Sequence, residues 1–133
     1  MLNNNPITEM ITDNNKAIKK VVIVEDSLLI LAKIVEMLSY IKEVEISGVS
    51  GIPFDAIEKI NKQKPDFVIL DIKLQGGSGI DVLKKIKISC PNTKVIILTN
   101  YAYPLYKLRC IDLGADYFFD KSKDFDKIYE LLS

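Results

Sequence analysis

The chain has 133 residues, and its 18 basic and 18 acidic side chains cancel to a formal net charge of zero. This balance argues against a nucleic-acid-binding surface or a strongly basic membrane-binding face. The absence of histidine from the sequence excludes histidine-assisted nucleophiles, histidine-ligated zinc and a phosphohistidine on this chain. No apolar run approaches the ~20 residues of a membrane span, and the start of the chain does not resemble a secretion signal. With two widely spaced cysteines, Cys90 and Cys110, the composition predicts a small cytoplasmic protein.

The first 18 residues differ in character from the rest of the chain. Five of the first fifteen are asparagine, and their apolar residues follow no period. We expect a disordered tail over residues 1–18, followed by one folded domain over residues 19–133.

Five short apolar runs, separated by helical patterns, organise the chain from Lys19 onward. They lie at residues 21–24, 44–46, 67–70, 95–98 and 117–119. Four of the five are unbroken, which is typical of parallel strands covered by helices on both faces. The sequence therefore predicts an α/β fold: a doubly wound (βα)5 three-layer sandwich with the flavodoxin-like strand order 2-1-3-4-5.

Each predicted strand is followed by a signal for the start of a helix. The predicted first residues or caps are Ser27, Pro53, Ser78, Pro104 and either Ser122 or Asp124. In the first helix, one apolar face is expected to comprise Leu28, Leu31, Ile34, Val35 and Leu38.

Chemically active side chains follow four of the five strands. Glu25 and Asp26 come after the first strand, Asp71 after the third, Thr99 after the fourth and Lys121 after the fifth. In open α/β sheets these carboxyl ends form the ligand-binding crevice, and strands one and three are neighbours there.

Three carboxylates in one crevice repel one another. Two of them 4 Å apart do so by about 4 kcal/mol at an effective dielectric of 20, so a divalent cation is expected. Few carboxylates with room for waters and a phosphate favour Mg²⁺. Lys121 and Thr99 then remain to hold phosphoryl oxygens, and Asp71 is the candidate nucleophile that forms an acyl phosphate.

Four stretches of the sequence resemble the receiver domain of two-component response regulators. They are VVIVEDS (21–27), VILDIKLQGGSGIDVL (68–83), IILTN (96–100) and GADYFFDKS (114–122), and the resemblance extends over nearly all of residues 19–133. It implies a phosphorylation-operated signalling switch in which Asp71 accepts a phosphoryl group from a phosphohistidine. The donor would be a sensor histidine kinase or a histidine phosphotransfer protein.

The resemblance also implies roles for individual residues. Mg²⁺, with Mn²⁺ as a substitute, would be held by Glu25, Asp26, Asp71 and the backbone carbonyl of Lys73. Thr99 and Lys121 would contact the phosphoryl oxygens.

The resemblance further implies how the signal would leave the site. Phe118 would be the aromatic switch residue coupled to Thr99, and the face formed by helix 4, strand 5 and helix 5 would bind a downstream protein or a second copy. Lys73 and Tyr101 would tune the lifetime of the acyl phosphate. We expect a phosphoacceptor rather than an enzyme, with self-phosphorylation from small donors, slow autodephosphorylation, and no direct contact with nucleic acid or membrane.

Two other classes of protein fit the sequence less well. A pseudo-receiver keeps the fold without taking phosphate, but such modules usually lose one of the acidic or lysine positions, and here all are present. A haloacid-dehalogenase-type phosphohydrolase would carry a second Asp two residues after its nucleophile, where this chain has Lys73. The sequence leaves open which kinase and pathway it serves, and whether the domain acts alone or within a longer regulator.

Overall fold

The fold is a central parallel sheet with helices on both faces. It is seen in a computed structural model that describes residues 17–133. The sheet strands are β1 (Lys19–Val24), β2 (Val44–Ser50), β3 (Phe67–Leu70), β4 (Lys94–Thr99) and β5 (Tyr117–Asp120). The helices are α1 (Leu28–Ser39), α2 (Pro53–Gln63), α3 (Gly79–Ser89), α4 (Pro104–Asp112) and α5 (Phe125–Leu132).

The strand order is β2-β1-β3-β4-β5, with all four pairings parallel. This confirms the predicted flavodoxin-like architecture and leaves β2 and β5 at the edges. Of the predicted tail, residues 1–16 lie outside the described part of the chain, and Ala17 and Ile18 precede β1 without regular structure.

Two apolar clusters cover the two faces of the sheet, because successive strand side chains point to opposite sides. Val22 and Val24 of β1 belong to the cluster beneath α2, α3 and α4. Val21 and Ile23 belong to the cluster beneath α1 and α5. A strand buried on both sides needs apolar residues at every position, which explains the unbroken runs.

The helix starts follow the predicted caps. The Ser27 hydroxyl accepts a hydrogen bond from the Ile30 amide at 3.3 Å, and the Ser78 hydroxyl accepts one from the Ile80 amide at 3.0 Å. Pro53 and Pro104 occupy first turns, where their missing N–H has no helical partner to lose.

The predicted apolar face of α1 was wrong at two positions. Leu28 is 81% exposed and Val35 is 39% exposed, whereas Ile34 and Leu38 are buried. At about 100° per residue, Leu28 and Val35 project roughly 80–100° from the centre of the buried arc. Ile30, which lies on that arc, packs against the core instead.

A small antiparallel hairpin between β3 and α3 was not predicted. It pairs Lys73 with Ser78 and Leu74 with Gly77, and Gly76 turns it with φ of +80°, a conformation that favours glycine. The hairpin fixes the backbone of the loop that follows Asp71. None of the helices in residues 17–133 is long and apolar enough to cross a membrane.

Candidate functional site

Three carboxylates meet where β1 and β3 end side by side. Val24 pairs with Leu70, and the Asp71 amide donates to the Val24 carbonyl at 3.0 Å. One oxygen each of Glu25, Asp26 and Asp71 lies within 4.8 Å of the others. Glu25 and Asp71 are buried, while Asp26 is exposed at the mouth.

The Lys121 ammonium lies between two of these carboxylates. Its Nζ is 2.7 Å from Glu25 Oε1 and 2.8 Å from Asp71 Oδ2. The lysine arrives from the far edge of the sheet, where its amide donates to the Thr99 carbonyl at 3.0 Å and continues the pairing of β4 with β5. The three side chains are at most 8% exposed, so solvent screens this ion triad little.

Burial and pairing shift the pKa values of the triad. Burial raises the pKa of Glu25, and its hydrogen bonds to Lys121 and Ser27 only partly oppose this. Burial alone would lower the pKa of Lys121, but its bonds to Asp71 and Glu25 outweigh that penalty and raise it. Burial therefore outweighs pairing at Glu25, whereas pairing outweighs burial at Lys121. The reason is that the Lys121 ammonium has two partners of opposite charge, whereas Glu25 shares one cation with another carboxylate.

One carboxylate oxygen at the centre of the site is unsatisfied. Asp71 Oδ1 is buried and accepts no hydrogen bond from any residue in the described range 17–133. Leaving a buried acceptor without a partner costs about 1–3 kcal/mol, and more when it is charged. A cation on this oxygen would remove that cost, and three carboxylates are the hard oxygen donors that Mg²⁺ prefers. The residues therefore fit a divalent cation.

The remaining predicted residues lie on the elements around this centre. Thr99 is fully buried at the end of β4, and its hydroxyl oxygen accepts a hydrogen bond from the Tyr101 amide at 3.0 Å. Phe118, in β5, pairs with Ile97 and packs against the cluster beneath α2, α3 and α4. Lys73 lies in the hairpin with an exposed side chain. The role of its carbonyl, and the coupling of Phe118 to Thr99, stay predictions.

Three small residues that the sequence analysis did not assign to the site shape its walls. A Cβ on Gly79 would lie 1.8 Å from the Asp71 carbonyl oxygen, and one on Gly51 would lie 3.0 Å from Asp26 Cα. The Ser27 amide donates to Glu25 Oε2 at 3.0 Å. The available signal was weak: Ser27 directly follows the acidic pair Glu25-Asp26, whereas Gly51 and Gly79 stand beside no acidic residue and offered only the close backbone approach that glycine permits.

Comparison with known proteins identifies the class that this fold and site define. Residues 21–133 match the family model of the response regulator receiver domain. The chain therefore belongs to the response-regulator receiver family of two-component signalling.

Individual relatives agree with this assignment. The chain is 29% identical over 113 residues to the response regulator protein VraR of Staphylococcus saprophyticus, covering 85% of this chain and 54% of that protein. It is 34% identical over 116 residues to the sensory transduction protein LytT of Bacillus anthracis, covering 85% and 45%. A solved DNA-binding response regulator of the LuxR family from Staphylococcus aureus matches with 27% identity and a TM-score of 0.78, covering 85% and 94%. The chain spans about half the length of these curated relatives.

Proposed function

We propose that this receiver domain is a switch operated by phosphorylation of Asp71. The observation that supports this most strongly is the buried triad, in which Lys121 contacts Glu25 and Asp71 at 2.7 and 2.8 Å. The other oxygen of Asp71, Oδ1, has no hydrogen-bond partner within the described residues. A structural ion pair would not require a third carboxylate, Asp26, with an oxygen within 4.8 Å of the other two.

The proposed reaction is a transfer between two proteins. An Asp71 oxygen attacks phosphorus, the N–P bond of a phosphohistidine breaks, and its electron pair stays on the imidazole nitrogen. The products are an acyl phosphate and a free histidine. This chain contains no histidine, which agrees with a donor that is a sensor histidine kinase or a histidine phosphotransfer protein.

The surrounding groups stabilise negative charge on the transferring group. Lys121 would shift its ammonium from the free Asp71 carboxylate to the phosphoryl oxygens, and the Thr99 hydroxyl would donate to them. Bound Mg²⁺, or Mn²⁺, would neutralise charge shared by the phosphoryl group and its ligands Glu25, Asp26, Asp71 and the Lys73 carbonyl.

The proposed output surface is the face formed by α4, β5 and α5. β5 is an edge strand, and α4 exposes Leu105 at 80% and Leu108 at 67%. Leu105 and Leu108 are three residues apart and therefore neighbours on the helix surface, and contiguous exposed apolar side chains mark interaction surfaces. A change at Thr99 would reach this face through Phe118 and alter its affinity for a downstream protein or a second copy. We also propose that the domain acts in the cytoplasm.

Phosphorylation by a small donor tests the proposal. The protein is incubated with acetyl phosphate and Mg²⁺ and its intact mass is measured. We expect one acid-labile phosphate, lost in Asp71→Asn, prevented by chelation, and retained in Asp81→Asn, a matched control in the exposed first turn of α3. No adduct in the wild type would indicate a pseudo-receiver, and repeated turnover of phosphate monoesters would indicate a phosphohydrolase.

The output surface has its own test. Leu108→Glu places a charge on α4 away from the triad. With beryllium fluoride and Mg²⁺ as a phosphoryl mimic, it should still bind the mimic but lose any dimer seen by sedimentation or any captured target. Retention of the same complexes would exclude this face.

A further inference from the structure

Lys73 and Tyr101 touch each other across the mouth of the site. We infer that in the unphosphorylated protein the Tyr101 ring holds the Lys73 ammonium away from Asp71, and that the ammonium leaves the ring for the phosphoryl group after transfer. Tyr101 is thereby a positioning residue that acts through Lys73. The inference rests on the proposed function of Asp71. It adds a contact in the unphosphorylated state through which Tyr101 and Lys73 act together.

The geometry of the pair is that of a cation–π contact. Lys73 Nζ lies 5.0 Å from the centroid of the Tyr101 ring, within the roughly 6 Å over which a ring attracts a cation. The hairpin pairing with Ser78 fixes the Lys73 backbone, and the Tyr101 amide is bonded to the Thr99 hydroxyl. The contact therefore bridges the loop that carries the phosphoacceptor and the loop that carries the hydroxyl.

The Lys73 ammonium contacts the Tyr101 ring and belongs to no ion pair in the described part of the chain. The ion pairs among residues 17–133 do not include Lys73. When a divalent cation is bound, it and Lys121 together balance the charge of Glu25, Asp26 and Asp71, so a second ammonium there would gain little. Phosphorylation adds further negative charge and new acceptor oxygens, which makes the acceptor site the better position for Lys73.

The surroundings leave room for this exchange. Lys73 and Tyr101 line a cavity of about 280 Å³ together with Ile72, Ser78 and Tyr106. The Tyr101 ring lies 6.4 Å from that of Tyr103, which lies 6.0 Å from that of Tyr106 in the first turn of α4. Release of Lys73 would therefore remove its contact with Tyr101, the first ring of the aromatic segment that leads into α4.

A double-mutant cycle on binding of beryllium fluoride with Mg²⁺ tests the exchange. Tyr101→Leu removes the ring and frees Lys73, so its affinity should rise about twofold to fivefold, the equilibrium worth of an exposed cation–π contact. Tyr101→Phe keeps the ring and should match the wild type. Lys73→Met should bind more weakly, and adding Tyr101→Leu to it should change nothing further. Tyr40→Leu, an exposed tyrosine at the end of α1, is the control.

The resting contact has a readout that needs neither metal nor phosphoryl mimic. In the metal-free protein, ring current should shift the NMR resonances of the Lys73 ε-methylene upfield in the wild type and Tyr101→Phe, but not in Tyr101→Leu. Absence of this shift overturns the inference. Equal affinities of wild type and Tyr101→Leu for beryllium fluoride also overturn it, while leaving the proposed function intact. No binding by the wild type would instead overturn the proposed function and, with it, the release step.

Discussion

Replacing Lys121 by Met removes the cation that compensates the buried carboxylates. Lys121 Nζ contacts Glu25 and Asp71 at 2.7 and 2.8 Å, and all three side chains are nearly inaccessible to solvent. Removing one partner of a buried ion pair costs about 3–5 kcal/mol, because the remaining charge stays desolvated. At roughly 3–4 °C per kcal/mol for a chain of this size, the melting temperature should fall by about 10–20 °C.

The matched control is Lys127→Met. Its ammonium pairs with Asp124 at 3.0 Å, but the Lys127 side chain is 60% exposed, and exposed pairs contribute about 0.2–1 kcal/mol. The free energy of unfolding in urea and the melting temperature of both variants are measured in the absence of metal. A loss for Lys121→Met no larger than that of Lys127→Met would refute the claim that the triad is buried and charged.

Mg²⁺ gives the same variant a second test. A cation held by the carboxylates substitutes for part of the lost charge, so Mg²⁺ should raise the melting temperature of Lys121→Met more than that of the wild type. Adding Asp71→Asn, which removes one of the uncompensated charges, should also recover stability and should abolish most of the Mg²⁺ effect. Equal responses of both proteins to Mg²⁺ would mean that the cation binds elsewhere.

Three further predictions concern the walls, the titration and the support of the site. Gly79→Ala should lower the free energy of unfolding by about 1–3 kcal/mol and slow phosphorylation, because its Cβ would lie 1.8 Å from the Asp71 carbonyl oxygen. Gly48→Ala, whose Cβ would meet its nearest atom at 3.5 Å, should change both little; similar effects of the two would contradict the argument. Burial raises the pKa of Glu25, so its protonated form stabilises the fold below about pH 4.5 and that contribution is lost as the pH rises through the raised pKa. The free energy of unfolding of Glu25→Gln minus that of the wild type should therefore increase from pH 4.5 to pH 7 without metal, and a flat difference in urea titrations would exclude this. Ile128→Ala, at a fully buried position of α5, should cost about 2–5 kcal/mol in the same assay, and a loss below about 1 kcal/mol would show that the cluster relaxes around it.

Strand positions were predictable because their signal is local. Residues 67–70 and 95–98 are short, apolar and rich in β-branched side chains, and the structure places strands there with bounds that agree to within one residue. The caps at Ser27 and Ser78 were equally local, since a hydroxyl two or three residues before an amide is enough to bond it. The face of α1 was less predictable, because the width of its buried arc depends on how the helix sits on the sheet. Leu28 therefore looked like a core residue and is exposed.

The sequence also predicted which types of side chain stand at the strand ends. Carboxylates, a hydroxyl and an ammonium at the carboxyl ends of four of the five strands lie along one edge of any parallel sheet of this order. The order of the strands, with β1 beside β3, is what brings the three carboxylates together, and Lys121 contacts two of them. The hairpin after Asp71 carried no recognisable pattern, since two-residue strands are too short to show a period.

The sequence alone identified the acidic, hydroxyl and lysine positions, because each stands at or directly after the end of an apolar run. Distances, burial and partners were decided only by packing. The fold alone brings Lys121 across 50 residues of chain to Asp71, leaves one oxygen of that aspartate without a partner among the described residues, and sets the Lys73 ammonium over a tyrosine ring. Such contacts join residues far apart in the chain, and the relative positions of the strand ends, which no local pattern specifies, determine them.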